Sequence, residues 1–277
     1  MKFMRVLSEL YCKPCVIDPA MHQKICEIID AHITGNMENL AFFDMEEKEK
    51  DRDYEVVDGN IAVIPIDGVI GKHVGNLEKV SGATDVDDIE SMLVKAIRDE
   101  SIEGVMYDVN SPGGGITGVP ELANIISTAT QMKPSVAYTD NLMASAAMWL
   151  AAGAGAIYAS QTAKVGSIGV YMAFLDQSRQ YELEGLKTEL IKAGRFKGMG
   201  LPGTSIDKDM RAMLQAEVDQ VYGWFVSHIT AHRNVSSATM QGQAFFGEEA
   251  VSRGLVDRIG TRRDALVELK AMIEAGI

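Results

Sequence analysis

Ser145 stands in Met143-Ala-Ser-Ala-Ala-Met148, where an apolar strand pattern gives way to a helical one. A hydroxyl at such a junction, among small residues, either caps or packs the helix or serves as a nucleophile. Lys197 lies in Lys192-Ala-Gly-Arg-Phe-Lys-Gly-Met-Gly200, a glycine-flanked loop after a strand-like run. A loop lysine is ordinarily a solvated cation. It becomes a base near neutral pH only where burial or a neighbouring cation favours the uncharged amine. Asn110-Ser-Pro-Gly-Gly-Gly115 follows a buried strand and precedes a helix. Its glycines allow positive φ and close backbone approach, which suits a tight turn or backbone N–H groups held toward a developing oxyanion. Gly166-Ser167-Ile-Gly169 reads equally as a plain turn.

Other chemistries lack their residues. There is no G-x-x-x-x-G-K-[ST] phosphate loop and no G-x-S-x-G elbow. His228 and His232 share one helix face, but the HITAH run lacks the glutamate of a zinc protease motif, so the pair reads as a solvated helix face. His22, His32 and His73 have no triad context, so a hydrolytic centre here would not use histidine as its base. Cys12, Cys15 and Cys26 are odd in number and lie near the N-terminus. Cys12-Lys-Pro-Cys15 has no second CxxC, so the thiols read as incidental rather than metal-binding or redox-active.

The chain has 277 residues and a formal net charge of -13, with 6% aromatic and 47% hydrophobic residues. Such a balance disfavours a nucleic-acid backbone or an anionic membrane surface as the main partner. No apolar run is long enough to span a bilayer, and no signal-peptide pattern opens the chain, which together suggest a cytoplasmic location.

Elements that would hold these residues alternate. Strands are expected at 61–70, 104–110, 135–140, 156–160, 167–172, 188–193 and 254–257. Helices are expected at 19–34, 85–100, 117–131, from 143 onward, and at 207–233, 248–253 and 264–274. The alternation predicts an α/β domain with a largely parallel sheet. Ten of the twelve residues from Asp44 to Glu55 are charged, a solvated connector that separates an N-terminal helical appendage (1–55) from the main domain (56–277).

Taken in order, SPGGG, MASAAMWLA, SQTAKVGSIGV, the loop lysine and QAFFGEEAVSRGLVDRIG resemble the signal peptide peptidase A family of Ser–Lys proteases. The match runs from about Asn60 to Gly260 and is similar above all to the family's phage branch, the lambda-type head maturation proteases. The resemblance implies a ClpP/crotonase-like spiral of ββα units, usually assembled into rings, with no cofactor and no metal. It implies Ser145 as nucleophile, Lys197 as general base, Ser167 as the hydroxyl that orients the lysine, and Gly114 with Ala146 as oxyanion donors. The implied partners are a protein or peptide substrate, further copies of the chain, and capsid scaffold or portal proteins, in host cytoplasm or procapsid. Alternatives are a soluble bacterial protease of the signal-peptide-peptidase type, an inactive relative acting as an assembly protein, and acyl-CoA chemistry on the same fold.

Overall fold

The structure is a computed structural model that describes residues 15–19, 22–23, 53–75, 79 and 82–276. Eleven strands among these residues are β1 (Cys15–Ile17), β2 (Glu55–Val57), β3 (Ile61–Gly71), β4 (Ala83–Asp85), β5 (Gly104–Gly115), β6 (Ser135–Thr139), β7 (Leu142–Ala144), β8 (Ala156–Ala159), β9 (Lys164–Gly166), β10 (Ala244–Phe246) and β11 (Arg258–Ile259). The helices are α1 (Val86–Arg98), α2 (Val119–Met132), α3 (Ala146–Ala151), α4 (Ser178–Leu183), α5 (Lys208–His232), α6 (Gly247–Ser252) and α7 (Arg262–Ala275).

The topology follows from one long strand. The first half of β5 pairs in parallel with β3 and β6, and β6 continues to β8 and β11. Beyond Asn110 the strand enters a second layer, where Ser111 pairs with β7, β7 with β9, and β9 antiparallel with β10. Two successive units thus send one strand to each layer and then a helix: the two halves of β5 before α2, and β6 with β7 before α3. This is the expected curled α/β architecture of ββα units.

Parallel strands must be covered on both faces, so they show no in–out alternation of apolar and polar residues. Ile61, Ala62, Val63 and Ile64 of β3 are all buried, as are Val105, Met106 and Tyr107 of β5. One face packs against Leu93 of α1, Leu122 and Ile126 of α2, and α3. The other packs against Ala265 and Leu269 of α7. Local signals set the helix ends. The Asp85 carboxylate caps α1, accepting from the Asp87 N–H, and Asp207 caps α5 through the N–H groups of Asp209 and Met210. Thr261 and Asp264 form a capping box at α7.

Several expectations are corrected. The expected strand at 188–193 has no regular structure, because nothing among the described residues pairs with it. That at 167–172 reduces to a bridge at Tyr171, the extended pairing being made by β9 just before it. The strand expected at 254–257 falls later, at β11, while β7, β10 and α4 have no counterpart in the sequence pattern. The strand expected to end at residue 110 runs on as β5 through Gly115. The 19–34 helix lies largely outside the described residues, as do Cys12, Cys26 and His32. Cys15–Ile17, within the expected appendage, pairs with the main sheet.

Candidate active site

The site is built where β5 crosses between layers. Ser145 joins β7 to α3 with φ 56 and ψ -117, a conformation that L-residues avoid and that only surrounding structure can enforce. That enforcement is visible. The Ser145 N–H donates to the Gly166 carbonyl at 2.8 Å, and its own carbonyl accepts from the Trp149 N–H at 2.9 Å. All six residues of α3 are buried, and Trp149 stacks on Phe225 of α5 at 4.4 Å. Small side chains at Ala146 and Ala147 let this short helix sit deep in the core while its start meets the second sheet layer.

Ser145 is 1% exposed, and its Oγ has no hydrogen-bond partner among the described residues. A buried hydroxyl is normally paired, so an orphan of this kind calls for a reason. Beside it lies the glycine run. A Cβ built on Gly113, whose φ is +92, would overlap the Val16 carbonyl oxygen and stand 2.8 Å from the Ala146 nitrogen and 2.9 Å from Ser145 Cβ. Only glycine admits that approach. Gly114 is pressed equally hard against β3, where a Cβ would overlap the Ile70 carbonyl. Ser111 braces the turn into the site: its Oγ donates to the Gly68 carbonyl at 2.6 Å and accepts from the Gly113 N–H at 3.1 Å.

Ser167 is 5% exposed with φ 53. Its N–H donates to the Gln243 carbonyl at 2.6 Å, and the preceding carbonyl is the one that holds Ser145. Ser145, Ala146, the glycine run and Ser167 are therefore brought together by backbone contacts. Lys197 is not joined to them within the single chain. It is exposed, in a turn where its N–H donates to the Gly194 carbonyl at 3.2 Å.

Lys197 belongs to a long exposed segment between β9 and α5. Leu175, Leu183 and Ile191 are 79%, 83% and 98% exposed. The segment stands off α5 over a cavity of about 550 Å³ lined by Tyr171, Phe174, Ile206, Arg211, Leu214 and Val218. The histidine pair also departs from expectation. His228 is buried, its Nε2 without a hydrogen-bond partner among the described residues, and burial, with the neighbouring His232 second, pushes its pKa down to about 4. Among the described residues no three His, Cys, Asp or Glu side chains form a metal-binding group, and no helix is long and apolar enough to cross a membrane.

Gly113, which belongs to the site, and Val16, which lies against it, carry no distinguishing signal in the sequence. Gly113 is one of three adjacent glycines with nothing to rank them. Val16 sits in a three-residue strand too short to carry a periodic pattern.

Comparison with known proteins finds relatives that align over most of the chain. Capsid assembly protease C of Escherichia phage lambda is 30% identical over 227 residues, 81% of this chain and 52% of that protein. Head-tail preconnector protein GP5 of Enterobacteria phage P21 is 29% identical over 83% of this chain and 46% of its own length. A putative signal peptide peptidase SppA of Enterococcus faecium is 32% identical over 65% of this chain and 54% of its own. The chain thus spans about half the length of these relatives. Among solved structures, a ClpP1 mutant from Listeria monocytogenes superposes with a TM-score of 0.46 at 13% identity, covering 74% of this chain and 94% of that one. Residues 127–276, which contain Ser145, Ser167 and Lys197, match the sequence profile of Peptidase family S49, and the chain belongs to that family.

Proposed function

We propose that the protein is a serine endopeptidase in which Ser145 is the nucleophile and Lys197, delivered by a second copy of the chain, is the general base. The observation that carries this reading is the buried, unpartnered Ser145 Oγ held in a strained backbone beside Gly113 and the Ala146 N–H. A nucleophile needs a base within hydrogen-bond reach, and among the described residues no side chain takes that position. The exposed aliphatic side chains around Lys197 are of the kind a neighbouring subunit covers. Covering them would strip water from the amine and favour its uncharged form.

In the reaction, the Ser145 oxygen attacks the scissile carbonyl while the Lys197 amine takes its proton. The Ala146 N–H, with Gly114, stabilises the oxyanion, one such donor being worth roughly 2.7–4 kcal/mol. The lysine then passes the proton to the leaving amine, and water releases the acyl group. Ser167 orients the lysine. The names of the phage relatives point to head-assembly proteins as substrates, scaffold or capsid chains cut during maturation. We also propose the domain division at residue 55, with the peptidase unit following it.

A fluorophosphonate tests the nucleophile. Wild-type protein is expected to be labelled at Ser145, and Ser145→Ala and Lys197→Ala each to lose casein cleavage by at least about 10⁴-fold. Full cleavage by either variant would refute its assignment.

A further inference from the structure

The groove beside Ser145 is already filled by the chain itself. Strand β1 lies antiparallel on the glycine half of β5, with Ile17 opposite Gly113, Val16 opposite Gly114 and Cys15 opposite Gly115. The pairing continues at the Asp18 N–H, which donates to the Pro112 carbonyl at 2.8 Å. The opposite edge of those glycines is held by Val69 and Ile70 of β3. Without β1, residues 113–115 would present an open strand edge directly against Ser145. An open edge of this kind is where an extended peptide adds by main-chain hydrogen bonding.

Position on that edge matters more than pairing alone. The point a Cβ on Gly113 would occupy touches three atoms at once: the Val16 carbonyl oxygen, the Ala146 nitrogen and Ser145 Cβ. The Val16 carbonyl oxygen therefore lies on the side of Gly113 that faces Ser145 and the Ala146 nitrogen. Val16 and Ile17 are 0% and 2% exposed, so both side chains are accommodated as a substrate's would be. Beyond the strand, the His22 N–H returns to the Asp18 carbonyl at 2.9 Å. The His22 ring is hydrogen-bonded through Nδ1 to the Tyr171 hydroxyl, at the start of the exposed segment that bears Lys197.

We propose that Cys15–Ile17 is an intramolecular pseudosubstrate that occupies the peptide groove in cis and must leave it before a substrate strand pairs with Gly113–Gly115. This inference rests on the protease reading above. It makes that reading more specific in one respect: the position facing Ser145 accepts a β-branched aliphatic side chain. A segment docked most of the time lowers apparent substrate affinity in proportion to the fraction of time the groove is open. Its release should therefore act on KM rather than on kcat.

The test uses the full-length chain with Val16→Asp, which places a charge in a dry position, and Tyr171→Phe, which removes the hydroxyl bonded to the His22 ring. Fluorophosphonate labelling of Ser145 and cleavage of a fluorogenic peptide with valine before the scissile bond are measured beside wild type and Ser145→Ala. The expected result is labelling about tenfold or more faster in Val16→Asp, with a lower KM and unchanged kcat, and a smaller change of the same sign in Tyr171→Phe. A synthetic peptide of residues 13–20 should inhibit Val16→Asp competitively. Equal or slower labelling in folded variants, checked by circular dichroism, overturns the inference and makes β1 an ordinary edge strand. Should Val16→Asp not fold, Tyr171→Phe decides by the same criterion. Absence of Ser145 labelling in every protein overturns the protease reading itself, and the pseudosubstrate with it.

Discussion

The Ser145 region and the Lys197 region are built in opposite ways. From Met143 to Ile168 the chain is mostly buried, threaded through β7, α3, β8 and β9, and fixed by Trp149 on Phe225 and by the Gly166 carbonyl on the Ser145 N–H. From 173 to 206 it is largely exposed, with one short helix and aliphatic side chains in solvent. The contrast teaches where each half of the proposed two-residue centre would get its geometry. The proposed nucleophile is positioned by the chain's own core, whereas the proposed base lies on an exposed surface.

Beyond the two proposed reacting residues, the largest effect is expected at Gly113. Gly113→Ala places a methyl at φ +92, against the Val16 carbonyl and 2.8 Å from the Ala146 nitrogen. Peptidase kcat/KM should fall by about 10²–10³-fold, the magnitude of a lost oxyanion donor, while circular dichroism stays near wild type. Retained activity would mean that the glycine run lies outside the reacting geometry.

The buried half can be sharpened through His228. Its folded pKa, pushed down to about 4, lies below the unfolded value of about 6.5, so the unfolded chain binds more protons between these values. Stability from this residue is intact above about pH 6.5 and is lost as pH falls toward 4, at up to about 1.4 kcal/mol per pH unit. His228→Leu should flatten that acid limb in urea titrations at successive pH values. The exposed half should show the smallest effect. Ile191→Asp should change the stability of the isolated chain by no more than about 0.5 kcal/mol, yet lower the sedimentation coefficient by weakening the proposed covering contact.

Much of this division is legible in the residues. The β-branched runs at 61–70 and 104–110 and the capped helices α1, α5 and α7 appear where their patterns place them, because local and tertiary preferences agree there. Ser145 and Ser167 read singly as a cap and a plain turn and, with Ala146, gain roles only from the resemblance; the fold gathers all three. What fails is what depends on partners distant in sequence. The Thr188–Ala193 run alternates like a strand, but a strand exists only if another pairs with it, and none among the described residues does. Conversely β1, β7 and β10 are three residues long, invisible to periodicity and present because neighbours recruit them. The same reasoning applies to Lys197: its sequence context identifies a loop lysine, while the surroundings proposed for it would come from another copy of the chain.

Mixing two inactive proteins tests the division most directly. Ser145→Ala keeps the lysine and Lys197→Ala keeps the serine, so subunits that exchange across an interface rebuild intact pairs. If the base comes from a neighbour, an equal mixture assembled from dissociated chains should recover about a quarter of wild-type peptidase activity, the fraction of interfaces that join the two intact residues. No recovery from co-assembled variants would contradict it and return the lysine to its own chain's serine.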